Sequence, residues 1–422
     1  MAAPFAKLKN SGLRRLLTLV GAPITGTKPI LLARLQQKLE TSTLPSHRQG
    51  TGTTRILSID MGIKNLAYCV VDVKLPPSTP STASKSTESK TEDASPAPQD
   101  PPTMTLTTWR RIAVLPLPST TSPPSSPSAT SIHTPTPPPP GKPEPGADPY
   151  HPRALAQTAH TLLTTLLLPH APHTLLIERQ RYRSGGGAAV QDWTYRVNML
   201  EGMLWAVLRT LQSERAGRGR KGKRKVGKVG KEEVGEGESD GGEGPEVWDV
   251  SPARVMGFWV GDGRGREKGA KGKREKVGLV GRWVGGERVG VAVGVGGAGG
   301  GAEGTGIRME FSGEAESARK AFVGNIMEGR GSRKGSATKK PRAKRRKKVE
   351  DQEDTQILVE SVSVADSKAV PVETAEDIRK LDDLADCLLQ AAAWVQWEAN
   401  RRRIAEMDEQ EVLRLIDEHT GS

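Results

Sequence analysis

The chain has little cysteine and few aromatic residues for its size, and both shortages exclude classes of protein. Of its 422 residues only two are cysteines and 4% are aromatic. Two cysteines are too few for a disulfide framework or a thiolate zinc site. No run approaches the roughly 18 apolar residues that a membrane span needs. The chain is therefore neither a disulfide-stapled domain nor a membrane-spanning protein by its sequence.

Glycine and proline are abundant, in contrast, and they are gathered in blocks. The 47 glycines and 31 prolines leave stretches that cannot bury enough apolar surface to offset chain entropy. We therefore predict one medium domain and a small module, separated by low-complexity insertions. The expected insertions cover about 74–104, 116–149, 215–245 and 261–350.

The net charge of +13 favours a polyanionic partner, either nucleic acid or an anionic membrane surface. Two basic segments indicate different cellular locations. The segment before Glu40 contains no acid, which permits an organelle-targeting role, whereas "KKPRAKRRKK" at 339–348 is typical of a nuclear-localisation signal.

The N-terminal residues 7–40 predict two helices joined by a turn. Two apolar stripes at helical spacing are separated by glycine and proline, and Thr27 can cap the second helix. Residues 21–28 nearly spell a phosphate-binding loop, but they end in Gly-Thr-Lys rather than Gly-Lys-Thr, and no strand precedes them. We therefore expect no nucleotide cofactor.

The remaining folded segments predict a mixed sheet with helices on both faces, and hence an α/β fold. Three early strands joined by short turns suggest an antiparallel meander, and later strands separated by helices suggest parallel additions. A long helix is expected over about 188–213, with Trp193 in its apolar stripe and therefore in the core. A shorter helix is expected over about 314–327.

Two of the predicted strands end in an acid, which is unusual for buried strands. Asp60 ends "RILSID" and Glu178 ends "TLLIE", although carboxylates are depleted in strands and costly to bury without compensation. Each has a simple structural explanation. Asp60 could accept backbone N–H bonds in the turn at Gly62, and Glu178 could pair with a neighbouring arginine.

Three further acids stand together at the start of the last predicted helix, in "KLDDLADCLLQAAAW". The helix dipole favours acids in a first turn and could account for Asp382 and Asp383. It accounts less well for Asp386, which lies a turn further along and shares a face with the other two.

Acids from two strands and one helix can converge at one edge of the sheet, and together they suggest a metal site. Mg²⁺ takes carboxylate oxygens in octahedral geometry. Two such ions, about 3.5–4 Å apart, bind the attacking and leaving oxygens in phosphodiester hydrolysis. This chemistry requires neither cysteine nor histidine, and its substrate is a polyanion.

At these residues the chain resembles the fungal mitochondrial Holliday-junction resolvases, which are RNase H-like nucleases related to the bacterial RuvC enzymes. The segments that carry the resemblance are "SIDMGIKNLAYC", "LLIERQRYRSGG", "VNMLEGMLWAVL", "VSPARVMGFW" and "KLDDLADCLLQAAAW". The resemblance implies an RNase H-like domain over 52–412 that acts as a homodimer in mitochondria. It also implies two Mg²⁺ ions, with Mn²⁺ as an alternative, and paired symmetric cleavage of four-way DNA junctions.

Carried over by position, Asp60, Glu178, Asp383 and Asp386 are the implied catalytic and metal-binding carboxylates. Asp382 is an alternative or additional ligand, because spacings of three and four residues both reach Asp386. The implied DNA contacts next to these acids are Arg179, Gln180, Arg181, Arg183 and Lys64.

The N-terminal segment, over 5–45, is similar to a SAP module, a DNA-binding helix-turn-helix. "GAPITGTKPILLARLQQKL" carries this second resemblance, and Lys28 is its candidate DNA contact.

Two other functions remain open from the residues alone. The same acidic site could act on another substrate, such as an RNA–DNA hybrid. Alternatively, the chain could be a non-catalytic nucleic-acid-binding protein that uses the SAP-like module and the basic runs, and substitution of Asp60 would then have no effect.

Overall fold

The first three strands form the predicted antiparallel meander. The computed structural model describes residues 5–41, 44, 52–76, 101–114, 148–180, 192–223, 244–260, 270–286, 306–331 and 381–418. Strand β1 spans Thr54–Met61, β2 spans Asn65–Lys74 and β3 spans Thr103–Ala113. Both neighbouring pairs are antiparallel, and β1 turns directly into β2.

Later strands extend this meander on both sides into a six-stranded sheet. Strand β4 (Thr174–Glu178) is parallel to β1, β5 (Glu246–Val250) is parallel to β4, and β6 (Arg308–Phe311) is parallel to β3. The strand order is β5-β4-β1-β2-β3-β6. The predicted mixed sheet is confirmed.

Helices cover both faces of the sheet, also as predicted. One face carries α3 (Pro152–Thr161), a π-helical turn that continues it, and α4 (Asp192–Lys223). The other face carries α8 at its centre, surrounded by the remaining helices. These helices are α1 (Asn10–Leu19), α2 (Lys28–Glu40), α5 (Pro252–Val260), α6 (Ala270–Val284), α7 (Gly313–Gly331), α8 (Leu381–Glu406) and α9 (Glu409–Glu418).

Alternation along the strands decides which side chains meet α8. Leu57 and Ile59 of β1 belong to the core under α3 and α4, whereas Ile56 belongs to the core under α8. Because successive strand residues point to opposite faces, Asp60 lies on the α8 side with Ile56. Glu178 follows Leu176 by two residues and is on the same side. Both strand-end acids therefore face the helix that carries the three aspartates.

Hydrogen bonds from the sheet fix the position of α8. The indole Nε1 of Trp109 donates to the Leu384 carbonyl at 3.0 Å, and Gln390 Nε2 donates to Ser58 Oγ at 3.1 Å. Cys69 and Cys387 are both buried, and the Cys69 thiol lies 3.4 Å from the Cys387 carbonyl oxygen. As predicted, these cysteines are small core residues.

The N-terminal helix-turn-helix packs against the second half of α8. Fully buried leucines of α1 and α2, including Leu13 and Leu31, share a core with Trp397 of α8. Gly21 between the helices has a φ of +66°, and a Cβ there would lie 2.1 Å from the Trp397 ring. Thr27 precedes α2, but its side chain makes no capping hydrogen bond, so its predicted role was wrong.

Several predicted segment limits were also wrong. Helix α4 continues to Lys223, beyond the insertion start predicted at 215, and α6 and β6 lie within the low-complexity insertion predicted over about 261–350. The α6 sequence "KREKVGLVGRWV" contains good helix formers, and its buried Val280, Trp283 and Val284 share one face. The helix predicted over 314–327 is present as α7.

Trp193 is not a core residue, contrary to prediction. Its side chain is 41% exposed, although it is in register with the buried Val197, Leu200, Leu204 and Leu208, because it lies in the first turn of α4, at the end of this stripe. None of the helices in the described part of the chain has the length and apolar character to cross a membrane.

Candidate active site

Asp60 and Glu178 lie side by side at the ends of two neighbouring strands. The parallel ladder pairs Ile59 of β1 with Ile177 of β4, and each is followed directly by one of the acids. The two carboxyl groups lie in contact, and burial, this contact and the nearby charges of Glu178, Asp386 and Asp383 raise the pKa of Asp60 well above its usual range.

The turn after Asp60 depends on Gly62. A Cβ at this position would lie 2.6 Å from the Asn65 carbonyl oxygen, so the close approach needs glycine. The carbonyl of Lys64 in the same turn accepts a hydrogen bond from the Val114 N–H at 2.9 Å. The side chain of Lys64 is exposed at the same end of β1 as Asp60.

The three aspartates of α8 face these strand ends, and each one pairs with a cation. Asp382 pairs with Lys273 and Asp386 pairs with Lys276, both lysines coming from α6. Lys276 binds both carboxylate oxygens of Asp386. The third aspartate, Asp383, accepts a hydrogen bond of 2.8 Å from Nε of an arginine on β3, Arg111.

The surroundings shift the pKa values of two of these aspartates in opposite directions. Burial, followed by the charges of Glu178 and Asp382, raises the pKa of Asp386 to about 6, although Lys276 opposes the shift. Burial also tends to raise the pKa of Asp382. The hydrogen bond and charge of Lys273 outweigh that effect, and the pKa of Asp382 is lowered.

The chemistry of this acid set fits a hard divalent cation. Carboxylates from two strands and one helix meet at one sheet edge and contain only oxygen donors, the ligands that Mg²⁺ and Mn²⁺ prefer. In the present arrangement, no three histidine, cysteine or acidic side chains of the described segments are close enough together to hold a metal ion. Lys273 and Lys276 occupy the carboxylate oxygens of Asp382 and Asp386, so these lysines must move before a cation can bind.

The predicted DNA contacts next to Glu178 lie in different places. Gln180 Nε2 donates to the Met61 carbonyl at 3.2 Å, and its backbone N–H donates to Glu201 of α4 at 3.1 Å. Gln180 thus connects the ends of β1 and β4 to α4. Arg179 is largely exposed and lies 3.9 Å from Asp249 of β5. Arg181 and Arg183 lie outside the described residues.

Lys28, the predicted DNA contact of the N-terminal module, does not belong to this cluster. It is an exposed residue at the start of α2. The module packs beside Trp397. Eleven residues separate Trp397 from Asp386 on α8, a distance of roughly 16 Å at the rise of an α-helix.

Sequence reasoning missed all three cations that pair with the aspartates, and it also missed Glu201. Lys273 and Lys276 belong to a Gly-rich stretch, but their spacing of three residues places them on one helical face. Arg111 occupies a β3 position predicted only as part of a strand, yet it is 6% exposed. Burial raises the pKa of Glu201, despite its hydrogen bond from the Gln180 backbone.

Comparison with known proteins agrees with the family resemblance of the sequence. A family model described as "Mitochondrial resolvase Ydc2 / RNA splicing MRS1" matches residues 56–404, which is most of the chain. A curated relative from Schizosaccharomyces pombe (strain 972 / ATCC 24843) is named "Cruciform cutting endonuclease 1, mitochondrial". It is 29% identical over 202 residues, or 48% of this chain and 56% of the relative. The chain thus spans little more than half the length of this relative.

Two solved structures were also matched. The crystal structure of the yeast mitochondrial Holliday junction resolvase Ydc2 has a TM-score of 0.42 at 20% identity, over 96% of this chain and 99% of that one. The Thermus thermophilus RuvC structure has a TM-score of 0.24 at 15% identity, over 54% of this chain and 78% of that one.

Proposed function

The chain belongs to the mitochondrial resolvase Ydc2 / RNA splicing MRS1 family, and on this premise we propose that it is an endonuclease that resolves four-way DNA junctions. The family description joins a nuclease with an RNA splicing activity, so family membership alone does not choose between them. The observation that supports the nuclease is the acid cluster. Asp60 and Glu178, which lie side by side, face three further carboxylates at one sheet edge.

The acid cluster would hold divalent cations, with two Mg²⁺ ions as the expected occupants and Mn²⁺ as the alternative. Asp60, Glu178 and Asp386 are the proposed principal ligands. Asp382 is more available than Asp383, because Lys273 is an exposed partner whereas Arg111 is buried. When bound, the cations supply an activated water molecule and stabilise charge on the attacking and leaving oxygens.

The chain's own cations have a second role in this proposal. Metal binding requires Lys273 and Lys276 to release their aspartates. Because the raised pKa of Asp60 favours its neutral form, metal binding also requires that this carboxyl group be deprotonated. Each ammonium group that is released becomes available to a phosphate oxygen of the substrate, as a charge-assisted hydrogen-bond donor. The lysines of α6 therefore neutralise the site when it is empty of metal and contact DNA when it is active.

The other proposed DNA contacts surround this edge of the sheet. Arg179 and Lys64 have exposed side chains beside Glu178 and Asp60, and Arg181 and Arg183 follow Arg179 in sequence. Lys28 would contact a more distant part of the DNA from the SAP-like module. A homodimer suits a two-fold symmetric junction. Mitochondria are the proposed location, consistent with the names of the family and the relative.

The test is cleavage of a labelled four-way junction in Mg²⁺ by the wild-type protein and the Asp60→Asn variant. Linear duplex and RNA–DNA hybrid of the same sequence are the control substrates. We expect paired symmetric nicks in the junction only, and a loss of at least about a thousandfold in rate for the variant, because it removes a metal ligand. Cleavage of the hybrid alone would change the substrate assignment, and equal cleavage by Asp60→Asn would contradict the site.

A non-catalytic role in binding RNA is the second candidate. The observation that favours it is the pairing of Asp382, Asp383 and Asp386 with basic side chains of the chain itself. This candidate predicts tight binding without cutting of any of the three substrates, in Mg²⁺ or Mn²⁺, and no effect of Asp60→Asn.

A further inference from the structure

A second polar site lies away from the acid cluster, where the N-terminal helix-turn-helix packs against the rest of the fold (the body). It is a cavity of about 140 Å³, with walls from the α1–α2 turn, α2, β5, α5 and α8. Three indole rings form much of its lining. The ring centroids of Trp248 and Trp394 are 5.5 Å apart, and those of Trp394 and Trp397 are 6.1 Å apart.

Two of the tryptophans that line the cavity have an indole N–H without an acceptor among the described residues. These buried groups are Nε1 of Trp248 and Nε1 of Trp397. The Trp397 side chain is only 5% exposed, so bulk water does not satisfy it. A buried N–H that lacks an acceptor costs roughly 1–3 kcal/mol. An acceptor ligand in the cavity would remove this cost.

Cations outnumber carboxylates around the same cavity. Lys38, Arg254 and Arg401 line it, together with the acids Asp249 and Glu398. Burial is the first cause that lowers the pKa of Lys38, and the neighbouring Arg254 charge lowers it further. The ammonium of Lys38 lies 5.9 Å from the centre of the Trp248 ring.

Both carboxylates are already engaged with arginines. Glu398 is buried and binds Arg401 at 2.7 Å and Arg402 at 3.1 Å. The half-exposed Asp249 lies 3.9 Å from both Arg179 and Arg254, at the rim of the cavity. The site therefore keeps positive charge and hydrogen-bond donors for which the described contacts provide no acceptor.

We infer that this cavity binds a phosphate group of the nucleic-acid substrate. A phosphate oxygen can accept from both indole N–H groups and from the Lys38 ammonium, and its charge matches the excess of cations. The cavity also lies in a suitable place. Its rim reaches Asp249, which contacts Arg179 next to Glu178, whereas its far wall is the helix-turn-helix.

A phosphate held here would fix the substrate between the module and the cleaving edge. Gly21 of the α1–α2 turn lies against Trp397, and Arg254 donates to the Gly21 carbonyl at 3.0 Å. Occupation of the cavity would therefore also strengthen the contact between the module and the body. The inference rests on the proposed function only in taking the phosphate from nucleic acid.

The first measurement is tryptophan fluorescence during titration of the full chain with inorganic phosphate, compared with chloride at equal ionic strength. We expect phosphate to change the emission of the wild-type protein, because its site is lined by three indoles, and chloride to have no such effect. The change should be lost in Lys38→Met. An identical response to both salts, or to phosphate in both proteins, would overturn the phosphate site.

The second measurement is the affinity for a four-way junction, in the cleavage-deficient Asp60→Asn background and at several salt concentrations. We expect Lys38→Met to weaken binding about tenfold and to reduce the slope of log affinity against log salt by about one. Trp397→Phe keeps an aromatic ring and removes the N–H, so it should weaken binding with little change in slope. Lys320→Met, on the exposed surface of α7, is the matched control and should change neither.

The outcomes separate this inference from the proposed function. Thermal unfolding first shows whether Lys38→Met and Trp397→Phe fold. If both fold and bind the junction as tightly as the Asp60→Asn protein without them, the nucleic-acid phosphate site is overturned, even where the wild type cuts junctions. If phosphate changes the fluorescence but junction binding ignores both substitutions, the ligand is a free phosphate compound and the inference is likewise overturned. Binding that depends on Lys38 without any cleavage by the wild type would support the cavity and contradict the nuclease.

Discussion

Two acids at strand ends and three acids on a helix occupy the same cluster, yet the fold neutralises them differently. Asp60 and Glu178 lie side by side without an ion pair among the described contacts, and the pKa of Asp60 is raised. Asp382, Asp383 and Asp386 each face a basic side chain. The raised pKa favours the neutral form of Asp60, whereas cations face the helix acids.

Asp60 and Asp383 differ in their consequences for stability. The raised pKa of Asp60 disfavours the folded state at neutral pH, whereas the ion pair of Asp383 with the buried Arg111 supports it. Pairing alone does not decide the sign, because burial raises the pKa of Asp386 to about 6 despite Lys276. An acid kept at such a cost is typical of a site where function sets the requirement. Replacing Asp60 and Asp383 by their amides tests this division, because the expected changes in the free energy of unfolding have opposite signs.

The largest effect is expected for Asp383→Asn. This change removes the charge that faces the buried Arg111 guanidinium, and loss of one member of a buried pair costs several kcal/mol. Because Asp383 is partly exposed, we expect the free energy of unfolding to fall by about 2 kcal/mol. Urea denaturation in the presence of a chelator measures it. Asp382→Asn is the control, and an equal loss in that variant would contradict the importance of Arg111.

A smaller effect of opposite sign is expected for Asp60→Asn. An acid whose pKa is higher in the folded than in the unfolded chain destabilises the fold at pH values above the unfolded pKa. At pH 7 without metal, the amide should therefore raise the free energy of unfolding by about 1 kcal/mol. The gain should shrink as the pH falls toward 4. A loss of stability at pH 7 would show that Asp60 is a structural residue.

The smallest effect is expected for Lys273→Met. This lysine is 65% exposed, and exposed ion pairs contribute little because water screens them. We expect the free energy of unfolding to change by less than about 0.5 kcal/mol. Arg111→Met is the comparison in the same denaturation experiment and should cost clearly more. An equal loss in the free energy of unfolding for both variants would mean that burial does not determine how much the two basic residues contribute.

The strand acids were predictable from sequence because they interrupt a strong pattern. Asp60 and Glu178 each end a continuous apolar run, and strand alternation places both on one face of the sheet. The mixed sheet was predictable from the same apolar runs and from the helices that separate the later strands. The aspartates of α8 were equally visible, since Leu384 and Cys387 mark the buried face of that helix.

The cations were not predictable, because their partners come from distant parts of the chain. Lys276 meets Asp386 across 110 residues, and Arg111 meets Asp383 across 272. A basic residue in a Gly-rich stretch has the same local pattern whether it pairs or remains in solvent. Trp193 failed for a related reason, since it is in register with the buried stripe of α4 but lies in the first turn, and only the tertiary packing decides whether that end of the helix is covered.

The most direct test of the central claim is the unfolding temperature with and without Mg²⁺ or Mn²⁺, for three proteins. A ligand that binds only the folded state stabilises it, so we expect both ions to raise the unfolding temperature of the wild type. Lys276→Met, which frees Asp386, should respond at lower ion concentration, and Asp60→Asn should not respond. The same rise in Asp60→Asn as in the wild type, or no rise in any protein, would contradict the assignment of the acid cluster as a divalent-metal site.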